Sequence, residues 1–287
     1  MKISVVIPTY NHAQWLPESI ESALNQTLAP HEIIVVDDGS KDNTKEVVAR
    51  YPHPVKYVYQ ENSGLSAARN KGIEVASGDW IALLDADDVW VNTKLEKQVA
   101  ALRDEEFCYC AATRFFADGH IEEPECFFGE DAIRILRHHN FIDPSSVMAR
   151  RDTFLKVGGF NRSMPAGEDW EMWLKLASVC KFSGVPERLL RYRVLGDSMS
   201  KNPEIHLRSM DAIVTAGTAH LHGLNRVIAA RRMRSTRYAL VAIKYRDEGD
   251  FDKALECALR GVKQWPSPFY DRAFKIVLLE LRRRLTR

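Results

Sequence analysis

The chain has 287 residues, of which 45% are hydrophobic and 28% are charged. This composition is that of a globular protein and excludes an intrinsically disordered chain. The length suits one large α/β domain with an appendage or two modest domains, and a formal net charge of +1 gives no general attraction to nucleic acid.

Charge and cysteine content restrict the partners and the compartment. From Arg226 to the C-terminus there are 16 Lys and Arg residues against 7 Asp and Glu residues, so this segment is basic. Five scattered cysteines without disulfide or zinc spacing predict a reducing compartment. No signal peptide or apolar run of about 18 residues is evident, so we expect a cytoplasmic protein without a membrane-spanning helix.

The first part of the chain alternates β-rich and helical segments. Such apolar strands, spaced by helices, indicate parallel strands buried on both faces, which is a doubly wound α/β fold. Ser40 or Asp42 is predicted to cap the second helix. The predicted strands are residues 3–7, 32–36, 55–59 and 80–84.

The rest of the chain mixes strands with helices and ends in a helical section. Six residues there have the offsets of one tetratricopeptide-like hairpin, and a basic helix is predicted at about residues 269–285. Extended segments are predicted at residues 108–116, 145–150, 181–185 and 188–194, a helix at 168–179, and the hairpin residues are Tyr245, Gly249, Phe251, Ala254, Ala258 and Pro266.

Ligands of doubly wound sheets bind beyond the carboxyl ends of the strands. The loop after the fourth strand there reads Asp85-Ala86-Asp87, with two carboxylates two residues apart and directed to the same side. Carboxylate oxygens select hard cations such as Mg²⁺ or Mn²⁺, and a cation would let the two acids bind a diphosphate. Taken alone, this pattern is more often a solvated acidic turn.

Three further groups have the residue types of a nucleotide site. Asp38 can accept hydrogen bonds from a base or a ribose, although its loop also suits a helix-capping turn. Arg69 can bind a phosphate or pair with a nearby acid, although a surface Arg in a capped helix is an equally good interpretation. Asp169 lies at a predicted helix N-terminus, where the dipole favours an ionised general base, although such acids more often only support their helix.

The ordered set of these motifs resembles family-2 glycosyltransferases of the GT-A fold. The resemblance covers about Lys2 to Ser200. Its blocks are Val5–Asn11, Val36–Ser40, Asn62–Gly72, Ala76–Ile81, Leu84–Asp88, Val157–Phe160 and Glu168–Leu174.

The resemblance implies a role for each matching residue in a metal-dependent, inverting transfer of sugar from a nucleotide-sugar to an acceptor hydroxyl. Asp87 would bind a divalent cation, Mn²⁺ or Mg²⁺, and Asp85 the cation or the ribose. Asp169 would be the catalytic base, with Glu168 beside it and Trp170 shaping the acceptor site. The nucleotide-sugar would contact Pro8, Thr9, Tyr10, Asn11, Asp38 (at the base), Gly64, Arg69 (near the diphosphate) and Ala86.

One position departs from the family pattern. Such proteins often carry a His shortly after a Tyr-Arg pair, but Tyr192-Arg193-Val194 is followed here by Leu195, which cannot ligate. Asp197, Ser198 or water could substitute, so the full set of metal ligands is open.

The resemblance predicts a GT-A-like catalytic domain over residues 1–200 and a helical extension over residues 201–287. The expected acceptor is a saccharide or a lipid-linked saccharide, UDP is the favoured nucleotide, and cell-surface polysaccharide, lipopolysaccharide or glycolipid synthesis is the expected setting. The basic terminal helix either lies on the inner face of an anionic membrane or packs on the body.

Three alternatives to an active transferase remain. A catalytically inactive module would be expected to lack Asp87 or Asp169, and both are present. Sugar-nucleotide pyrophosphorylases resemble one another in a Gly-rich N-terminal loop with a basic residue. The loop after Ile7 in this chain has neither feature. A scaffold built on the helical tail would leave the acidic loops without a purpose.

Overall fold

The structure is a computed structural model that describes residues 1–195 and 202–265. The predicted basic terminal helix and Pro266 lie outside the described residues, as do Asp197 and Ser198. The chain divides into two compact units, the first formed by residues 1–135, 140–162 and 179–196, and the second by residues 136–139, 163–178 and 197–287.

The first unit is built on one mixed sheet. Its order is β3-β2-β1-β4-β8-β6-β9-β5, with β7 paired to β6. The strands are β1 (Ile3–Thr9), β2 (Glu32–Asp37), β3 (Val55–Tyr59), β4 (Trp80–Leu83), β5 (Val89–Trp90), β6 (Phe107–Phe116), β7 (Ile121–Glu122), β8 (Met148–Arg150) and β9 (Phe182–Val194).

The half of the sheet formed by the first four strands is parallel, as predicted. β1 lies between β2 and β4, and β2 pairs with β3, all in parallel register. β8 then pairs antiparallel to both β4 and β6, whereas β6 and β9 are parallel to each other. The sequence had suggested two separate extended segments near residues 181–194, but they form one strand, β9.

Helices cover both faces of the parallel half, which confirms the doubly wound prediction. Val5 and Ile7 belong to one apolar cluster with Leu16 and Ile20 of α1, whereas Val6 of β1 faces α3. The helices of this unit are α1 (Leu16–Leu24), α2 (Thr44–Val48), α3 (Leu65–Val75), α4 (Lys94–Ala101), α5 (Glu130–Leu136, whose last residue belongs to the second unit) and α6 (Arg151–Lys156).

The predicted cap of α2 is wrong in its position. Asn43 occupies the N-cap, and its side chain makes no capping hydrogen bond. Asp42 accepts hydrogen bonds from both the main-chain N–H and the hydroxyl of Thr44, at 3.1 and 2.6 Å. Ser40 instead accepts from the N–H of Asn11 at 2.9 Å. Asp42 also accepts from the N–H of Ala13 at 2.9 Å, so both polar side chains connect the loops after β1 and β2, and the helix begins later than the pattern suggests.

The second unit is helical in its described part. Tyr245, Ala254 and Ala258 are buried together where two of its helices pack, as the hairpin pattern predicts. The helices are α7 (Glu168–Ala177), α8 (Pro203–Arg208), α9 (Met210–Thr218), α10 (Gly223–Asp247) and α11 (Phe251–Gln264). The domain boundary at residue 200 stays a prediction.

Gly72 lets α3 pack closely on β1. A Cβ at this position would lie 2.2 Å from Cγ1 of Val6, which is a stiff β-branched side chain in the core. Gly72→Ala is therefore expected to lower the free energy of unfolding by about 2 kcal/mol, despite the better helix propensity of Ala. Urea unfolding followed by circular dichroism measures the change. Lys71→Ala, at a partly exposed position of the same helix, is the control and should change the free energy of unfolding by less than about 0.5 kcal/mol.

Lys94 is a charged residue inside the apolar core of the first unit. Its side chain is fully buried, its ammonium donates to Oε1 of Gln98 at 2.7 Å, and it lies 4.1 Å from the ring centroid of Trp90. Burial lowers the pKa of Lys94 from 10.5 to about 8. The unfolded chain therefore binds one more proton than the folded chain between pH 8 and 10.5.

The free energy of unfolding should consequently rise with pH across this window, because folding no longer requires a buried charge once Lys94 is neutral. We compare the free energies of unfolding of the wild type and of Lys94→Met. From pH 7 to pH 10 we expect the difference between them to shift in favour of the wild type by about 2 kcal/mol. Parallel urea titrations at the two pH values measure this difference. Lys71→Met, at a partly exposed lysine, should show no comparable shift, and an equal shift in both variants would contradict the assignment to Lys94.

Candidate active site

The loop that follows β1 is fixed to the loop that follows β2. Asn11 adopts a left-handed conformation with φ of 56°, and its Oδ1 accepts a hydrogen bond from the N–H of Lys41 at 2.7 Å. The N–H of Asp38 donates to the carbonyl oxygen of Thr9 at 2.9 Å. Thr9 is buried, and its hydroxyl has no hydrogen-bond partner among the described residues. Tyr10 beside it is 42% exposed and available to a ligand.

Asp38 organises the loop that leads into α3. Its Oδ1 accepts from Nε2 of Gln60 at 2.6 Å and from the N–H of Ser63 at 2.9 Å, and its Oδ2 accepts from the N–H of Gly64 at 2.8 Å. Gly64, with φ of 89°, is the N-cap of α3. A residue predicted to meet a nucleotide base thus already holds the neighbouring loop, and only part of its acceptor capacity is left for a ligand.

The acidic segment after β4 is held by hydroxyl groups from two directions. The hydroxyl of Ser145 donates to Oδ2 of Asp88 at 2.5 Å and accepts from the N–H of Asp85 at 2.9 Å. From α1, the hydroxyl of Ser19 lies 2.9 and 2.7 Å from the carbonyl oxygens of Ala86 and Asp88. The main chain of the Asp85–Asp88 segment is therefore fixed, while the side chains of Asp85 and Asp87 stay partly exposed.

Arg69 is buried and pairs with Asp85, which excludes the interpretation of Arg69 as a surface arginine. One terminal nitrogen of the guanidinium lies 2.8 and 3.0 Å from the two carboxylate oxygens. The Arg69 side chain is only 1% exposed, whereas that of Asp85 is 21% exposed. The α3 motif and the acidic segment are thus brought together, as the sequence predicts for one site at the edge of the sheet.

Two acids of this segment, Asp87 and Asp88, have raised pKa values. Burial and the charge of Asp85 raise the pKa of Asp87, against smaller opposing effects of His12 and Arg193. Burial and the charges of Asp87 and Asp85 raise the pKa of Asp88 well above its usual range. Three crowded carboxylates favour a cation at this position.

Arg193 fixes the same segment from β9. Its Nε donates to the carbonyl oxygen of Asp87 at 2.9 Å, and its main-chain N–H donates to Oδ1 of Asp88 at 2.9 Å. The guanidinium pairs with Glu18 at 2.7 Å and lies 4.3 Å from the ring centroid of Trp15. The positions of both Asp87 and Asp88 therefore depend on this arginine.

Asp169 lies in the second unit, at the second residue of α7. The helix begins after Gly167, whose φ of 74° is left-handed, and its first turn carries Glu168, Asp169 and Glu171. The N–H of Trp170 donates to Oδ1 of Asp169 at 2.7 Å, and the indole Nε1 of Trp170 donates to the carbonyl oxygen of Leu136 at 2.6 Å. The predicted position of Asp169 at a helix N-terminus is confirmed. Its role as a base stays a prediction.

Comparison with known proteins identifies the family of this site. The family model described as "Glycosyl transferase family 2" matches residues 4–158, and "Glycosyltransferase like family 2" matches residues 110–221. The putative teichuronic acid biosynthesis glycosyltransferase TuaG of Bacillus subtilis is 31% identical over 212 residues, which are 70% of this chain and 82% of TuaG. The chain belongs to glycosyl transferase family 2.

Other relatives extend beyond the matched region. Uncharacterized glycosyltransferases of Rickettsia bellii and Rickettsia typhi are 32% and 31% identical over 69% and 67% of this chain. The match spans 29% of the first relative and 64% of the second, which is less than two thirds of their lengths.

Two solved structures have the fold of this family-2 protein. Staphylococcus aureus TarS 1–349 in complex with UDP superposes with a TM-score of 0.63 at 17% identity, covering 94% of this chain and 93% of that one. The mannosyltransferase PcManGT of Pyrobaculum calidifontis, in complex with GDP-Man and Mn²⁺, gives 0.59 at 19% identity, covering 99% and 87%. At these identities the likeness shows the fold, and the predicted GT-A-type α/β fold is confirmed.

The residues of this family-2 protein fit a divalent cation that binds together with a substrate. Among residues 1–195 and 202–265, no group of three His, Cys, Asp or Glu side chains could hold a metal ion alone. Mg²⁺ and related hard cations commonly take one or two carboxylates and complete their shell with substrate phosphates and water. Asp85 and Asp87 supply the carboxylates, and the raised pKa of Asp87 indicates a negative charge that a cation would offset.

Ser19, Ser145 and Arg193 hold the acidic segment, and none of them was predicted to do so. Only Arg193 had a signal, because it belongs to the Tyr-Arg pair of the family pattern. The two serines come from distant parts of the chain, and no spacing rule connects them to Asp85 or Asp88. Leu195 is the last described residue before segment 196–201, and the substitutes predicted for the missing His, Asp197 and Ser198, lie in that segment, outside the described residues.

No helix within residues 1–195 and 202–265 is long and apolar enough to cross a bilayer.

Proposed function

We propose that this protein is a metal-dependent inverting glycosyltransferase that moves a sugar from a nucleotide-sugar to an acceptor hydroxyl. The observation that carries the proposal is the acidic pair Asp85 and Asp87 after β4, next to the loops of β1 and β2 and joined to α3 by Arg69. Ligands of open α/β sheets bind at this edge. Membership of glycosyl transferase family 2 supports glycosyl transfer as the reaction of this site.

The donor would bind across these loops. Thr9 and Tyr10, with Pro8 and Asn11 beside them, line the nucleotide, and Asp38 meets the base. The free hydroxyl of Thr9 and the exposed ring of Tyr10 suit that role. Gly64 and Ala86 allow close approach of the main chain. Asp85 and Asp87 hold a divalent cation, Mn²⁺ or Mg²⁺, which neutralises the charge of the departing diphosphate.

The reaction proposed is a single in-line displacement. Asp169 takes the proton of the acceptor hydroxyl, the acceptor oxygen forms a bond to the anomeric carbon, and the bond from that carbon to the diphosphate oxygen breaks. The leaving group is a nucleoside diphosphate, and the configuration at the carbon inverts. Glu168 assists at the base, and Trp170 shapes the acceptor site.

The substrates are proposed from the relatives. TarS is solved with UDP and PcManGT with GDP-Man, and UDP is favoured here as the nucleotide. TuaG is named for teichuronic acid biosynthesis, which supports a saccharide or lipid-linked saccharide as acceptor in cell-surface polysaccharide synthesis. Such work would occur in the cytoplasm at the inner face of the membrane, with the basic C-terminal segment as a contact to anionic lipid.

Calorimetric titration with nucleotides tests this proposal. Purified full-length protein is titrated with UDP, GDP, CDP and dTDP, each with Mn²⁺, with Mg²⁺ and with a chelator. Binding of one nucleotide that requires the cation is the expected result. Turnover is then measured as nucleoside diphosphate released from the matching nucleotide-sugars, with methyl glycosides as acceptors. Binding without turnover of any donor would favour an inactive nucleotide-sugar-binding module, and no binding at all would favour a scaffold.

A further inference from the structure

Arg237 is a buried cation of the second unit with few polar contacts. It lies in α10, and its side chain is 4% exposed. One terminal nitrogen donates to the carbonyl oxygen of His206 at 3.1 Å. Its buried Nε has no hydrogen-bond partner among the described residues. The guanidinium carbon lies 4.7 Å from the ring centroid of Trp170.

The unfolding equilibrium alone does not explain an arginine at this position. Burying a guanidinium is unfavourable unless its hydrogen bonds are satisfied, and an apolar side chain of similar volume often fits as well or better. Burial lowers the pKa of Arg237 to about 10, and the negative charge of Asp169 opposes this effect. The side chain is therefore still a cation at neutral pH, and Asp169 acts on it electrostatically.

The contacts form a short chain from Arg237 to Asp169. The guanidinium packs on the face of the Trp170 ring, and Leu136 accepts the indole N–H at the ring edge. The ring is thereby held from two directions. The main-chain N–H of Trp170 in turn donates to Oδ1 of Asp169 at 2.7 Å. A cation over an aromatic face is attracted to the ring more strongly when it is desolvated, as Arg237 is here.

We propose that Arg237 is a positioning residue for the catalytic base, acting on the Asp169 carboxylate through the Trp170 ring. The proposal rests on the proposed function, since it takes Asp169 as the base. It extends the catalytic machinery to α10, in the helical section to which the sequence analysis gave no catalytic role. The arginine need not touch substrate, because its effect is to keep the carboxylate of Asp169 in one orientation.

The test compares three variants of full-length protein. Arg237→Met keeps the length of the stem and removes the charge, Arg237→Lys keeps the charge without the planar group, and Arg234→Met is the matched control. Arg234 is on the same helix, one turn earlier, where it pairs with the exposed Asp211 at 3.1 Å. The kcat and KM for nucleoside diphosphate release, the Kd for the nucleotide with Mn²⁺ and the thermal midpoint are measured for each variant.

For Arg237→Met we expect kcat to fall by about 10- to 100-fold, with the nucleotide Kd and donor KM within about 2-fold of wild type. Arg237→Lys should recover part of kcat, and Arg234→Met should have the kcat of wild type. In the Asp169→Asn background, Arg237→Met should lower the residual rate by less than about 2-fold, because both substitutions remove the same function.

Two results would overturn the role of Arg237 while leaving the proposed function intact. One is an active wild type with an unchanged kcat in Arg237→Met. The other is a loss of kcat on Arg237→Met that is as large in the Asp169→Asn background as in the wild type. Such additivity would indicate a general structural role for Arg237. If Arg237→Met does not fold, the effect of Arg237→Lys on kcat is compared in the wild-type and Asp169→Asn backgrounds instead. A wild type that neither binds a nucleotide nor turns over a donor would overturn the proposed function, and the inference with it.

Discussion

Asp87→Asn is expected to abolish cation-dependent nucleotide binding and to lower transfer by at least about 100-fold. The substitution keeps the shape of the side chain and removes one negative charge. Asp87 is partly exposed, while its main-chain carbonyl is held by Arg193 at 2.9 Å, so the loop should keep its conformation. An amide oxygen binds Mg²⁺ or Mn²⁺ more weakly than a carboxylate does, and the diphosphate would then meet uncompensated acids.

Calorimetry with and without Mn²⁺ measures this effect directly. The wild type should bind its nucleotide more tightly with the cation than with a chelator, and this difference should disappear in Asp87→Asn. Asp104→Asn is the control, since Asp104 is an exposed acid of the same unit that pairs with Lys181. Full cation dependence in Asp87→Asn would contradict the metal role of this residue.

The thermal midpoint separates loss of the cation from loss of the fold. Removing one of three crowded carboxylates relieves repulsion, so Asp87→Asn should unfold no more easily than the wild type without cation. In the presence of Mn²⁺ and nucleotide, the wild type alone should be stabilised, because a ligand that binds only the folded state raises its stability.

The parallel half of the sheet was predictable because its strands follow a local pattern. Buried apolar runs such as Ile3–Thr9 and Glu32–Asp37 can be predicted as strands without tertiary information, and the helices between them predict that the strands are parallel. The second half was harder to predict. The short strand Met148–Arg150 pairs antiparallel to both of its neighbours, a choice set by long-range packing that the strand's own residues do not reveal.

The candidate site was predictable where its residues form motifs, and unpredictable where single side chains support them. Asp38, Arg69 and Asp85 could be named because each belongs to a block of recognisable order. Their partners could not be named, since Ser19 and Ser145 reach the acidic segment only once the chain is folded. Arg237 is a further case, because one basic residue in a basic segment gives no sign that it will be buried.

A change in the proposed base should separate chemistry from donor binding. Asp169→Asn is expected to lower kcat by about 1000-fold while the nucleotide Kd with Mn²⁺ stays within about 2-fold of wild type. Asparagine keeps the side-chain oxygen that accepts from the N–H of Trp170 but cannot take a proton. The start of α7 should therefore keep its conformation, and only proton removal from the acceptor should be lost.

Two further variants decide whether Asp169 is the base or only supports its helix. Asp211→Asn removes an exposed acid of the same unit and should keep the kcat of wild type. Glu168→Gln changes the neighbouring acid in the first turn of α7, and a loss smaller than that of Asp169→Asn is expected because Glu168 only assists. If Glu168→Gln were the more damaging change, the base would be Glu168. If Asp169→Asn lowered kcat only as much as Asp211→Asn does, neither proton removal nor positioning could be assigned to Asp169, and its carboxylate would serve mainly to stabilise the helix through the dipole.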